Sequence, residues 1–153
     1  MKSFIRPLTE KQKQLKELRY NLYILRDQKN IGITIQDVND KRTTLLLNKE
    51  EEKQEDIYFE LHSCLEGIKW ILENHPEDIR KNIQIRLWSN SVYCVNVIRE
   101  WREKWNKTNF ENRPNKLLLQ SLEKYSNICN ITAKWSNEQL NEITHTLYDH
   151  IKG

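Results

Sequence analysis

Residues 83–125 read IQIRLWSNSVYCVNVIREWREKWNKTNFENRPNKLLLQSLEKY, and the fold turns on how they divide. The stretch opens with Ile83, Ile85 and Leu87 alternating with Gln84 and Arg86, the period of a half-buried strand. Ser89, Asn90 and Ser91 supply a tight polar turn. Tyr93, Val97, Trp101 and Trp105 then recur every four residues, which places them on one helix face. A basic loop carrying Phe110 and Pro114 follows, and Leu117, Leu118 and Leu122 mark a second helix. One strand feeds one helix through a polar turn, and a basic aromatic element comes next.

Upstream, YNLYILR at 20–26 reads as a buried strand, and Asp27 to Asn30 as a turn. A second strand begins at Gly32, and a third runs over 43–47 after a turn at Asn39 and Asp40. Strands joined by such short turns form an antiparallel meander. The charged run NKEEEKQED at 48–56 reads as a solvated connector. From Ile57 the period becomes helical, with Tyr58, Leu61, Leu65, Ile68, Trp70 and Leu72, ending before Pro76. Downstream, NICNIT at 127–132 reads as a last strand. The tail over about 138–151 reads as a helix with Leu140, Ile143, Leu147 and Ile151 on one face. The order β-β-β-α-β-α-α-β-α implies an α/β fold. Its five-stranded mixed sheet has three antiparallel strands, then β-α-β crossovers, with flanking helices. Residues 1–19 form a short helical extension, capped at Thr9 and rich in Lys and Arg. Residues 20–153 form one domain.

The chain has 153 residues and a formal net charge of +3, so charge alone does not single out nucleic acid as a partner. Five Trp, six Tyr and three Phe argue against disorder. Cys64, Cys94 and Cys129 are isolated in the sequence and fit neither a zinc site nor a disulfide framework; buried free thiols are expected. No apolar run is long enough to cross a membrane, and the N-terminus lacks the apolar core of a signal peptide. An intracellular protein of a reducing compartment is expected, with no membrane partner.

Several of these segments, in this order, resemble the ribonuclease H family, from about residue 21 onward and most closely over 60–122. ELHSCLEGIKWIL resembles the family's first helix, which opens with a Glu. LWSNSVYCVNVIREWREKW resembles the fourth strand and its helix, with an Asp-Ser-Tyr-type turn and then Trp-x3-Trp. KTNFENRPNKLLLQSLEKY resembles the basic protrusion of the cellular enzymes, and LNEITHTL the terminal Asn-Glu-x-x-Asp helix.

The resemblance implies a ribonuclease H-like fold and a hydrolase chemistry with two divalent metals held by four carboxylates. Hard oxygen ligands suit magnesium or manganese. Carried onto this chain, the first position falls on Asp27, followed by Gln28 where the family usually has Gly. The second falls on Glu60, the third on Asn90 and the fourth on His145; the family's mobile His falls near Trp135. Only Asp27 and Glu60 keep the charge, so they are the residual metal ligands expected. An engineered change at Asn90 would not account for His145, Trp135 and Gln28. Asp149, one turn after His145, is the candidate to replace the lost carboxylate.

The basic aromatic element gives the candidate nucleic-acid residues Arg99, Trp101, Arg102, Lys104, Trp105, Lys107, Arg113 and Lys116. Trp101 and Trp105 either pack the protrusion or contact the polynucleotide. Glu100, Glu103, Glu111 and Glu123 dilute the charge, so a salt-sensitive grip is expected. Asn115 reads as a helix cap, and His62, His75 and His150 as isolated surface residues. The expectation is a catalytically inactive ribonuclease H-like protein with no cofactor. It would be kept for binding an RNA/DNA hybrid, RNA or a protein partner in a larger assembly. The alternative is an active endonuclease that cuts the RNA strand of hybrids, with Mg2+ or Mn2+ in an altered site.

Overall fold

A computed structural model describes residues 18–26, 30–39, 41–48 and 56–135. Asp27, His145, His150 and Asp149, the terminal helix and residues 1–17 of the extension lie outside them.

The strands are β1 (Arg19–Arg26), β2 (Asn30–Gln36), β3 (Arg42–Asn48), β4 (Gln84–Ser89) and β5 (Asn130–Trp135). They form one five-stranded sheet in the order β3-β2-β1-β4-β5. β1 pairs antiparallel with β2, placing Ile24 opposite Ile33, and β2 pairs antiparallel with β3. β1 pairs parallel with β4, placing Leu22 beside Leu87, and β4 pairs parallel with β5. The expected mixed sheet is therefore present. β1 lies at its centre, and Leu22, Tyr23, Ile24 and Leu25 are all buried, so both faces of the strand are covered. The strand starts one residue earlier than its sequence suggests. Leu18 is buried beside it, and its carbonyl accepts a hydrogen bond from Gln84 N at 2.9 Å.

Helix α1 (Asp56–Glu73) lies across β1 and β2. Phe59, Leu61, Cys64, Leu65, Ile68, Ile71 and Leu72 bury its apolar stripe. Gly67 permits the close approach. A methyl group there would sit 2.7 Å from Leu22 Cδ1 and 3.4 Å from Ile33 Cγ2. A 3-10 helix (Glu77–Asn82), which the sequence pattern does not reveal, leads into β4.

After the turn, helix α2 (Val92–Asn96) runs into a π-helical segment (Val97–Trp101) and then α3 (Arg102–Asn106). In an unbroken α-helix Tyr93 and Trp101, eight residues apart, would lie about 80° apart around the axis. A π-turn absorbs about one extra residue and brings them to within roughly 20°. Tyr93 and Trp101 accordingly meet edge to face at 5.6 Å, and Trp101 meets Trp105 at 5.4 Å.

Helix α4 (Lys116–Ile128) packs on α1 and α3. It runs through Asn127 and Ile128, which the sequence pattern assigns to the last strand; β5 begins only at Asn130. The reason is tertiary. Leu119, Leu122, Glu123 and Ser126 are buried at helical spacing, and Arg102 bonds both Glu123 and Asn127, which holds the final turn together. Asn115 occupies the cap position of α4, but its side chain makes no capping bond. It adopts a left-handed conformation (φ 60°) that Asn tolerates better than most residues.

His75 is half-buried rather than a free surface residue. Its Nε2 meets the Tyr20 hydroxyl, joining the end of α1 to the start of β1. Burial, and then the nearby Arg80 charge, pushes the His75 pKa below 6.5.

Two outcomes follow from this packing. Gly67→Val drives a branched side chain into Leu22 and Ile33 and lowers unfolding stability by about 2–3 kcal/mol in urea denaturation. For His75, the unfolded chain takes up a proton near pH 6.5 while the folded chain resists it. Its contribution is complete above that value and is lost as pH falls below it. The urea midpoint of the native chain should therefore drop more steeply between about pH 7 and 5.5 than that of His75→Gln.

Candidate functional site

The parallel pairing of β1 with β4 sets their C-terminal ends side by side, Ile24 opposite Ser89. Such an edge is where α/β sheets place their ligands. Turn residues Ser89, Asn90 and Ser91 close β4 there, and the first turns of α1 bring Glu60 to the same place. Glu60 is 8 % exposed, and its Oε2 accepts a hydrogen bond from Ser91 Oγ at 2.7 Å. Ser91 Oγ also accepts from Cys94 N at 3.3 Å and so caps α2. Ser91 N donates to Ser89 Oγ at 3.0 Å.

Two of the four expected positions, Glu60 and Asn90, thus belong to one corner of the molecule; Asp27 and His145 lie outside the described residues. Trp135, at the expected place of the mobile His, ends β5 in register with Ser89 and is 51 % exposed. Its indole stands at the same edge of the sheet.

Beneath the turn, Cys94 and Cys64 lie against each other. The isolation of the cysteines in sequence does not persist in space. All three cysteines are free and buried. Burial, followed by the contact with Cys64, pushes the Cys94 thiol well above its ordinary range, and burial takes Cys129 to about 11. Cys64 and Cys94 fill space beneath the site, while Cys129 lies at the other end of the sheet, just before β5.

The donors at this corner comprise the Glu60 carboxylate, the Asn90 amide and the hydroxyls of Ser89 and Ser91. Among the described residues, no three His, Cys, Asp or Glu gather where they could hold a metal ion. The described donors thus include one carboxylate, Glu60, of the four positions that the resemblance assigns to a two-metal centre.

The second expected site is the protrusion. Residues 107–115 form a tight loop with four left-handed residues, Asn109, Phe110, Asn112 and Asn115. For Asn the conformation is mild, whereas for Phe110 (φ 58°) it costs about 1–2 kcal/mol. Burial of the Phe110 ring, 1 % exposed, repays about as much. The anchored loop brings the Arg113 guanidinium to 4.2 Å over the Trp105 ring. Arg99, Lys104, Lys107, Arg113 and Lys116 are all exposed. Trp101 and Trp105 are half-buried against the core, each with part of its ring accessible.

Arg102 is placed differently from its neighbours. Its side chain is 11 % exposed and its Nη1 bonds Glu123 at 3.1 Å and Asn127 at 2.9 Å, while Nε donates to the Ile98 carbonyl at 2.9 Å. This side chain ties α3 to α4 rather than facing solvent with the other cations. Ser91 is the site residue that sequence reasoning missed. Its place before a helix signals a cap, but its bond to Glu60 spans 31 residues and has no local signature. Glu123→Gln leaves the shielded Arg102 charge without its counter-ion and should lower stability by about 2–3 kcal/mol, read from urea denaturation.

No family model matches the chain. Over 76 residues it is 30% identical to ribonuclease H of Campylobacter concisus (strain 13826), an alignment covering 50% of this chain and 47% of that protein. The chain thus aligns with about half the length of this curated relative. In structure it is similar to LC9-RNase H1, a type 1 RNase H with the type 2 active-site motif. The TM-score is 0.62 at 12% identity, over 87% of this chain and 69% of that one. It is also similar to the prototype foamy virus protease-reverse transcriptase, with a TM-score of 0.58 at 12% identity, over 87% of this chain and 20% of that one. The strand order and these structural likenesses show that the chain has a ribonuclease H-like fold.

Proposed function

We propose that this chain is a ribonuclease H-like protein without nuclease activity, retained to bind nucleic acid through its basic aromatic protrusion. The observation that carries the reading is the corner at the end of β4. The position where a third metal-binding carboxylate is expected is Asn90, and the Glu60 carboxylate beside it accepts a hydrogen bond from Ser91. An amide oxygen can touch a cation but does not offset its charge, and His145 brings a nitrogen donor poorly suited to magnesium. Asp27 and Glu60 alone would hold a divalent ion weakly.

Binding does not need that charge. Arg99, Lys104, Lys107, Arg113 and Lys116 present exposed cations beside Trp101 and Trp105, a combination suited to phosphates and sugar or base faces. Arg102, tied to Glu123, contributes by shaping the protrusion. An RNA/DNA hybrid is the substrate class of the enzymes the chain is similar to and is the ligand proposed here. A protein partner is the competing outcome.

Two measurements test this. Hybrid cleavage is assayed with magnesium and with manganese, beside an Asn90→Asp, His145→Asp double variant. The unmodified chain should leave the hybrid intact; efficient cutting by it would establish the altered-site endonuclease instead. Hybrid binding is then followed across a salt series. Log affinity should fall with log salt at a slope of about −3 to −4, as for roughly four phosphate contacts. Lys104→Gln, Lys107→Gln and Lys116→Gln together should flatten that slope by about 2–3. Absence of binding even at low salt would point to a protein partner.

A further inference from the structure

The sheet ends at β5, which pairs with β4 on one side and with no other described strand. The ladder fixes where its backbone groups point. Asn130 N donates to the Ile83 carbonyl at 2.9 Å, so Asn130, Thr132 and Lys134 aim their N–H and C=O groups at β4. The groups of Ile131 and Ala133 alternate with these and point outward, where they meet no hydrogen-bond partner among the described residues. Such a row of donors and acceptors is a template for one more strand. Proteins ordinarily blunt an open edge with proline, a bulge or charged side chains. In β5, NITAKW, the one such device is Lys134.

A groove runs along this edge. A hollow of about 500 Å³ is lined by residues 131–135 and, from the π-helical segment and the start of α3, by Ile98, Arg99 and Arg102. Successive residues of one strand line it, so the backbone edge itself is open to the hollow. A second hollow of about 480 Å³ shares Arg102, Ile131 and Thr132 and carries the groove on past Asn130.

The period of the strand divides the groove chemically. Ile131, Ala133 and Trp135 are in register with Ile85, Leu87 and Ser89, on the face that the helices cover. Ile98 closes that side, which is apolar, with the exposed Arg99 at its rim. Lys134 stands on the other face beside Trp88, its Nζ 5.7 Å from the centre of the indole ring. No carboxylate lines either hollow. The complement is a chain with N–H and C=O groups of its own, carrying apolar side chains toward Ile98 and anionic ones beside Lys134. Phosphates would suit Arg99 and Lys134 but have no donor for the outward carbonyls. A second copy of this strand would bring its own Arg99 and Lys134 to an already cationic groove.

We propose that the open edge of β5 takes up an extended acidic segment of a partner protein as an added strand. Main-chain bonds to Ile131 and Ala133 supply affinity, and the alternation of apolar and acidic side chains supplies specificity. A segment of about six residues matches the length of β5. The surface uses neither Glu60 nor Asn90 and does not rest on the reading of that corner.

The test titrates the full chain with an acetylated, amidated hexapeptide alternating Val and Glu, followed by 1H–15N NMR. Saturable shifts should centre on residues 131–135, and the Ile131 and Ala133 amides should become protected from hydrogen exchange. Two further peptides carry N-methyl groups, one on every Val and one on every Glu. Only one set of alternate residues can face the strand, so one of these peptides should bind about tenfold more weakly than the other. Lys134→Glu changes an exposed side chain and keeps the backbone bonds to β4; it should weaken the Val-Glu peptide about fivefold. A Val-Lys peptide should bind more weakly than the Val-Glu peptide. Absence of saturable shifts at residues 131–135, equal affinity for the two methylated peptides, or equal affinity for the Val-Lys and Val-Glu peptides overturns the proposal. So does binding of an oligonucleotide at these amides with none by the peptide, which gives the edge to nucleic acid. Protection of the same amides in the concentrated chain alone gives it to a second copy and likewise overturns the proposal.

Discussion

The close seating of α1 on β1 and β2 at Gly67 is the contact on which the geometry of the molecule depends. A side chain larger than hydrogen at this position would meet Leu22 and Ile33, both completely buried. With the helix at that depth, its apolar stripe fills the space over the central strands, and its first turns reach the end of β4. Glu60 and Ser91 can then hydrogen-bond. A helix standing further off would leave the cavity unfilled and the carboxylate out of reach.

Ser91 shows how closely structure and chemistry are joined at that corner. One hydroxyl donates to Glu60 and accepts from Cys94 N, while the backbone N–H of the same residue is held by Ser89. The turn, the helix cap and the carboxylate therefore form one connected network over two packed, buried cysteines. On the proposed reading the corner keeps its architecture after losing the charge that metal chemistry needs. Its hydrogen bonds explain how it can: those described run among Glu60, Ser89, Ser91 and Cys94, with no cation among their partners.

The protrusion is built on a different balance. Its loop accepts an unfavourable conformation at Phe110 because burial of the ring repays it. The π-helical segment rotates Trp101 into line with Tyr93, so a row of aromatic rings runs from the site turn to Arg113. The Arg102–Glu123 pair then fixes α4 against α3 from within. Exposed cations are mounted on a rigid frame, which lowers the ordering cost of any contact they make.

What the sequence by itself determined was the order of the elements and the class of the sheet. Those depend on local period: alternation in residues 83–87, four-residue spacing in the helices, and short polar turns between the first strands. The pairing of Glu60 with Asn90 was an expectation from the family resemblance; the structure brings Glu60 to the turn that holds Asn90. The tertiary structure decided what local pattern does not encode. It extended α4 through Ile128, because Arg102 grips its last turn from another helix. It converted Arg102 from a solvent cation into an internal tie, bent the helix of Trp101 through a π-turn, and brought Cys64 against Cys94. Each of these depends on partners far apart in the chain, and a side chain's neighbours across the fold leave no trace in its own local sequence.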